Sequence, residues 1–313
     1  MTEGWLNRTG NGPDFLRVGK VPGIMYLRIA EIILAVYSAS PDLRIEPDEV
    51  TRHFQVEPAE PDSIISCAWA DLGKQESGNE LFVAGDLWQL SSRDGAYEFR
   101  FRSPTVGPTV YKVARFDPDF SSGEVSLDRR CFQLEQSIYP LEYPLDELLM
   151  LHILAMGRGA ELHACGMVDP SGRGHLFLGK SGAGKSTLAK LCGNVEGVKI
   201  LSDDRIILRR LDGRFWMYGT PWHGEAAVAC PDRAPLTRIY FVRHGDSNTL
   251  IAQQPAQAVG RLFACCFPLF YNAEALAFTL GFFDDVVKAV PCCELQFLPD
   301  ARVVDFVLRQ NGR

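Results

Sequence analysis

Gly179-Lys180-Ser181-Gly182-Ala183-Gly184-Lys185-Ser186-Thr187 follows the apolar run from His175 to Leu178 and precedes Leu188-Ala-Lys-Leu191. In order these read as a strand, a glycine-rich turn and a helix. Gly-x-x-x-x-Gly-Lys-Ser in that setting is the Walker A pattern. Its glycines let backbone N–H groups converge on phosphate oxygens, its lysine ammonium reaches the terminal phosphates, and its serine hydroxyl holds Mg2+. The helix that starts there adds unpaired N–H groups and the positive end of its dipole, so the site favours an anion before any side chain is counted. The expected ligand is a nucleoside triphosphate, ATP with Mg2+, cradled by residues 179–187.

Immediately beyond, residues 198–202 read as a strand whose end delivers Asp203 and Asp204, and Arg205 to Leu211 leads into a hairpin at Asp212-Gly213. Strand, loop, helix and strand in so short a span predict a right-handed crossover with the carboxylates at the carboxyl edge, beside the phosphates. Asp203 follows Lys185 by only 18 positions. Transporter, helicase and AAA-type motors place their acidic motif much later, and no Leu-Ser-Gly-Gly-Gln signature is present. Two carboxylates so placed can divide the work of phosphoryl transfer, one holding Mg2+ and one accepting the proton of an attacking hydroxyl.

Upstream, Glu161 to Val168 reads as a strand containing His163, and Leu145 to Gly157 as a helix following Tyr143-Pro144, which marks a domain boundary. From Val21 to about Pro144 the pattern is that of strands: Ile32 to Tyr37, Ser63 to Trp69, a hairpin around Asp94-Gly95, Val110 to Phe116 and Gly123 to Leu127. Trp88, Tyr97, Phe99 and Phe101 recur at period 2, the spacing of a packed sheet face rather than of a base-stacking platform. Towards the C-terminus a central strand is expected at Arg238 to Val242, helices at Ala256 to Phe267 and Ala273 to Ala289, a strand at Glu294 to Leu298 and a helical tail from Ala301. The chain thus divides into a β-rich accessory domain, residues 1–144, and a loop-bearing domain, residues 145–313.

The 313 residues are 46% hydrophobic and 23% charged, the balance of a globular chain, with a formal net charge of −7 and no dense Lys/Arg run. That charge argues against a nucleic-acid partner. The most apolar stretch, Ile24 to Ala39, is too short to span a bilayer and is interrupted by Arg28 and Glu31. Residues 1–20 lack the apolar core of a secretory signal, so a cytoplasmic setting without membrane attachment is expected. The nine cysteines show no Cys-x-x-Cys spacing and read as thiols rather than zinc ligands or disulfides. A homo-oligomer is compatible with this composition.

His163, the loop from Gly179 to Ser186 and the pair Asp203-Asp204 together resemble the kinase domain of bacterial HPr kinase/phosphorylase, over roughly residues 145–299. The resemblance implies an α/β fold: a P-loop kinase core of the HPr kinase/phosphoenolpyruvate carboxykinase type, here with a β-rich N-terminal domain. It implies that His163 and Asp203 serve the transfer chemistry with Lys185, and that Ser186 and Asp204 face the metal. The chain departs from true HPr kinases at Thr187, where they carry an acidic residue, and lacks their downstream Glu-Ile-Arg-Gly signature. In its place Tyr218-Gly-Thr-Pro-Trp-His223-Gly-Glu225 resembles HPr-kinase-like proteins that act apart from sugar regulation, including kinases of ribosomal peptide precursors. His223 and Glu225 either line an acceptor pocket or belong to a turn with Trp222 tucked into the core. The implied activity is transfer of the γ-phosphoryl group of ATP to a hydroxyl, a serine of a protein or peptide. The alternatives are a nucleotide sensor without catalysis and a carboxykinase-like enzyme acting on a small acid.

Overall fold

The computed structural model describes residues 23–73, 78–133, 135–180 and 182–309. The fold is mixed α/β with two large mixed sheets. The first half supplies β1 (Met25–Ile29), β2 (Ile32–Ser38), β3 (Ser63–Ala70), β4 (Asn79–Ala84), β5 (Trp88–Arg93), β6 (Ala96–Ser103), β7 (Gly107–Phe116) and β8 (Ser122–Asp128). They form one sheet in the order β1-β2-β3-β8-β7-β6-β5-β4, with β3 parallel to both its neighbours and every other pair antiparallel. Asp94 and Gly95 close the β5–β6 hairpin with φ of 53° and 82°, the paired positive values that match the twist of a two-residue turn. Phe99 and Phe101 are buried, and Tyr97 and Trp88 pack on the same core.

Two elements add to the expected strands. The apolar run Ile24 to Ala39 is two strands, divided at Ala30 and Glu31, which both take positive φ. The strand β4 is an exposed edge, so it lacks the alternation by which sequence reveals a half-buried strand.

The second half runs α1 (Leu145–Ala155), β9 (Ala160–Val168), β10 (Gly174–Leu178), α2 (Lys185–Gly193), β11 (Lys199–Ser202), β12 (Arg205–Leu211), β13 (Arg214–Gly219), β14 (Arg233–His244), β15 (Thr249–Ala252), α3 (Pro255–Phe263), α4 (Ala273–Ala289), β16 (Cys292–Phe297) and α5 (Arg302–Arg309). Because β10 pairs with β14 as well as with β9, the strands β9, β10, β14, β13 and β12 close into a ring, and β11, β16 and β15 extend from it. The two faces of its central strands are both covered, hence the continuous apolar runs. Leu176, Leu178, Ile239 and Phe241 meet α3 and α4 on one side, while Phe177, Tyr240 and Val242 meet α2 and α5 on the other. Helix α3 stops at Phe263, four residues before the expected end, because the following segment turns extended along β9. There His163 N–H donates to the Cys265 carbonyl at 2.7 Å and Phe267 N–H to that of Glu161 at 3.3 Å. No helix among the described residues is long and apolar enough to cross a membrane, and all nine cysteines are free thiols.

Nine of the eleven residues of α1 are buried, as befits a helix enclosed on every side. Its Leu145, Leu149 and Ile153 share one core with Phe99 and Phe116 of the first sheet and with Ile207, Tyr218 and Trp222 of the second half. His152 lies in this core, 5.3 Å from the Phe99 ring and 4.6 Å from that of Phe120. Its Nδ1–H donates to the Leu148 carbonyl at 2.6 Å, and its Nε2 accepts from the Tyr271 hydroxyl. Burial lowers its pKa to about 4. The imidazole is neutral in the fold, so its contribution is intact above the unfolded pKa of about 6.5 and is lost as pH falls through 4. The expected loss is about 3 kcal/mol. Denaturant unfolding between pH 7 and pH 4 checks this: a His152→Gln variant should show a decline shallower by that amount, and parallel curves would refute it.

Candidate functional site

The glycine loop leaves β10 at Gly179 and enters α2 at Lys185. Gly182 and Gly184 take φ of 77° and 100°, and a Cβ on Gly184 would approach the Phe297 ring to 2.6 Å, so side chains are excluded there on both counts. Helix α2 has no side-chain cap and no acidic residue in its first turn, which leaves its first N–H groups directed into the loop. Lys185 is 6% exposed, and its ammonium donates to the Gly179 carbonyl at 2.8 Å. Burial lowers its pKa. Ser186 is half-buried, Lys180 and Thr187 are exposed, Ala183 lies within the loop, and Ser181 falls outside the described residues.

Strands β10 and β11 both run antiparallel to β9. Their carboxyl ends therefore meet at one edge of the sheet, which brings the acid pair to the glycine loop. The two acids have different surroundings. Asp203 is 2% exposed, and its carboxylate accepts N–H groups from Gly224 (3.1 Å), Ala226 (2.8 Å) and Val228 (3.4 Å). Asp204 is more open: its Oδ1 lies 3.1 Å from His163 Nε2, and its Oδ2 accepts from Arg205. Burial and then the Lys185 charge lower the His163 pKa, with Asp204 pulling it back up. Asp204 in turn raises that of Lys185 against the stronger effect of burial. Lys185, His163, Asp204 and Arg205 thus form one electrostatic cluster beside the loop.

The segment that follows β13 meets this cluster through Gly224, where a Cβ would stand 2.8 Å from an Asp203 oxygen. Trp222 is buried in the core, whereas His223 and Glu225 are exposed. The structure brings their backbone to the acid pair and leaves their side chains in solvent.

A cleft of about 450 Å³ opens between the glycine loop, the end of β14 and α3. Arg261, His244 and Cys265 line it. Arg261 stacks 4.3 Å from the Phe241 ring centroid and pairs with Glu294 at 2.9 Å. Sequence reasoning did not find these residues, because α3 and the end of β14 reach the loop only through sheet closure. Arg205, directly after the acid pair, was the one such residue with a local signal.

Among the described residues no group of three or more His, Cys, Asp or Glu is arranged to hold a metal ion. The loop itself offers the half-buried Ser186 hydroxyl, and Asp204 is the more open of the two acids. Such a sparse set suits Mg2+ that keeps its waters and shares phosphate oxygens. No family model matches the chain, and no curated protein matches it.

Proposed function

We propose that the chain is an ATP-dependent kinase of the HPr-kinase-like type, with a P-loop kinase core, that transfers a phosphoryl group to a hydroxyl, foremost a serine of a protein or peptide. The observation that carries this reading is the His163–Asp204 pair, set at the same sheet edge as the glycine loop and within electrostatic reach of Lys185. ATP would supply the γ-phosphoryl group and Mg2+ would neutralise charge on its oxygens. The loop N–H groups and Lys185 would hold the phosphates, and Ser186 would hold the metal together with the waters that Mg2+ keeps. The geometry favours Asp204, steadied by His163, as acceptor of the hydroxyl proton, in place of the Asp203 implied by the family resemblance. The oxygens of Asp203 are already filled by three N–H groups, so its role is to tie down residues 224–228. The β-rich half shares a core with α1 and Trp222, and the seam beside His223 and Glu225 is where an extended acceptor would lie.

The test is incubation with γ-labelled ATP, Mg2+ and a serine-containing peptide library. Label on serine, lost in Asp204→Asn, is the expected result. Intact ATP binding with no label on any acceptor would replace this reading by a nucleotide sensor, and label on a small carboxylic acid by a carboxykinase-like enzyme.

A further inference from the structure

Behind the His163–Asp204 pair lies a buried acid pair that the roles above leave unused. Glu161 stands two positions before His163 on β9, hence on the same face of the strand. Arg205 is the cross-strand partner of His163. Helix α1 packs over this face and lowers Glu147 onto it from its first turn. Arg205 Nε donates to Glu147 Oε1 at 2.8 Å and lies 3.5 Å from Glu161 Oε1. The guanidinium is stacked 4.3 Å from the Phe267 ring centroid and also pairs with Asp204. Both carboxyls are enclosed, the Glu147 side chain 8% and the Glu161 side chain 0% exposed.

Two carboxylates this deep against a single guanidinium cannot both keep their charge cheaply. Glu161 faces the Glu147 carboxyl and lies at the longer distance from Arg205, whereas Glu147 holds the closer contact with it. Burial, and then the neighbouring Glu147 charge, raise the Glu161 carboxyl well above the ordinary range. The arrangement is therefore a neutral Glu161 beneath a chain of side-chain contacts, Glu147 to Arg205 to Asp204.

We propose that Glu147 is a positioning residue: it pins Arg205, which grips one oxygen of Asp204 and thereby aims the other at His163. The inference deepens the kinase reading and rests on it for its effect on rate, though not for its effect on geometry. Two variants and two readouts test it on the full chain. Glu147→Gln should lower kcat roughly 10- to 100-fold, the scale of a misaligned reacting group, with KM for ATP unchanged. It should also shift the His163 Nε2 nitrogen resonance at a fixed pH, as the hydrogen bond to Asp204 loosens. Glu161→Gln, a neutral isostere, should leave both readouts as they are in the wild type.

An unaltered His163 resonance in Glu147→Gln would overturn the proposal, as would a Glu161→Gln variant that matches it in both readouts. A merely structural role would depress the unfolding midpoint and ATP binding together instead of splitting kcat from KM, and that result also overturns it. Should the wild type transfer no phosphoryl group while the resonance still shifts in Glu147→Gln, the kinase reading fails and the positioning role stands.

Discussion

A Lys185→Ala variant is expected to bind ATP roughly 30- to 5,000-fold more weakly than the wild type, the equivalent of the ~2–5 kcal/mol lost when one partner of a buried, hydrogen-bonded charge pair is removed. The reasoning starts from burial. Lys185 as a whole is 6% exposed, and its ammonium is held by loop carbonyls at 2.8 and 3.5 Å. Binding phosphate therefore exchanges neutral carbonyl partners for a charged one and gains a charge-assisted contact. Lys185→Met, which keeps the aliphatic stem, separates loss of charge from loss of packing and should behave like alanine. Calorimetry with Mg2+ and ATP on both variants, with unfolding midpoints as the control for folding, decides the matter. Unchanged affinity in two folded variants would remove the glycine loop from the nucleotide site.

The second large effect is a contrast between neighbours. Asp204→Asn should retain ATP affinity and lose ~10²–10⁴ in turnover, the usual worth of a general base. Asp203→Asn should act on the fold instead. A carboxylate that accepts three backbone N–H groups becomes an amide with one acceptor oxygen, and its NH2 group faces donors. Leaving buried donors unpaired in this way is expected to cost about 2–3 kcal/mol of stability. Single-turnover assays and denaturant unfolding on the two variants check both halves. The assignment is reversed if Asp203→Asn proves stable and inactive while Asp204→Asn stays active.

That contrast also marks where the sequence stops being informative. The glycine loop, the start of α2 and the turns at Asp94-Gly95 and Asp212-Gly213 were legible because their chemistry is local: positive φ, a phosphate-loop spacing, alternation on either side of a tight turn. The strand carrying His163 and the strand ending at Asp203 were legible for the same reason. Which of two adjacent acids stays open was not, because backbone N–H groups of residues 224–228, about twenty positions away, decide it. Glu147 could not be joined to Arg205 from sequence either. Their contact at 2.8 Å depends on how α1 settles between the two sheets. The edge strands β4 and β15 escaped notice because a short strand open to solvent carries little apolar pattern.

Strand β9 belongs to three partnerships at once: residues 164–168 pair with β10, residues 166–168 with β11, and residues 160–163 with β12. The separation between the glycine loop and His163 is thus written into a ladder of backbone hydrogen bonds inside a closed ring, and no connecting loop sets it. The strands of the first sheet lie outside that ladder. A change in those strands therefore leaves the spacing between the histidine and the glycine loop in place. A scaffold of this kind keeps two distant stretches of chain in fixed register through backbone pairing alone.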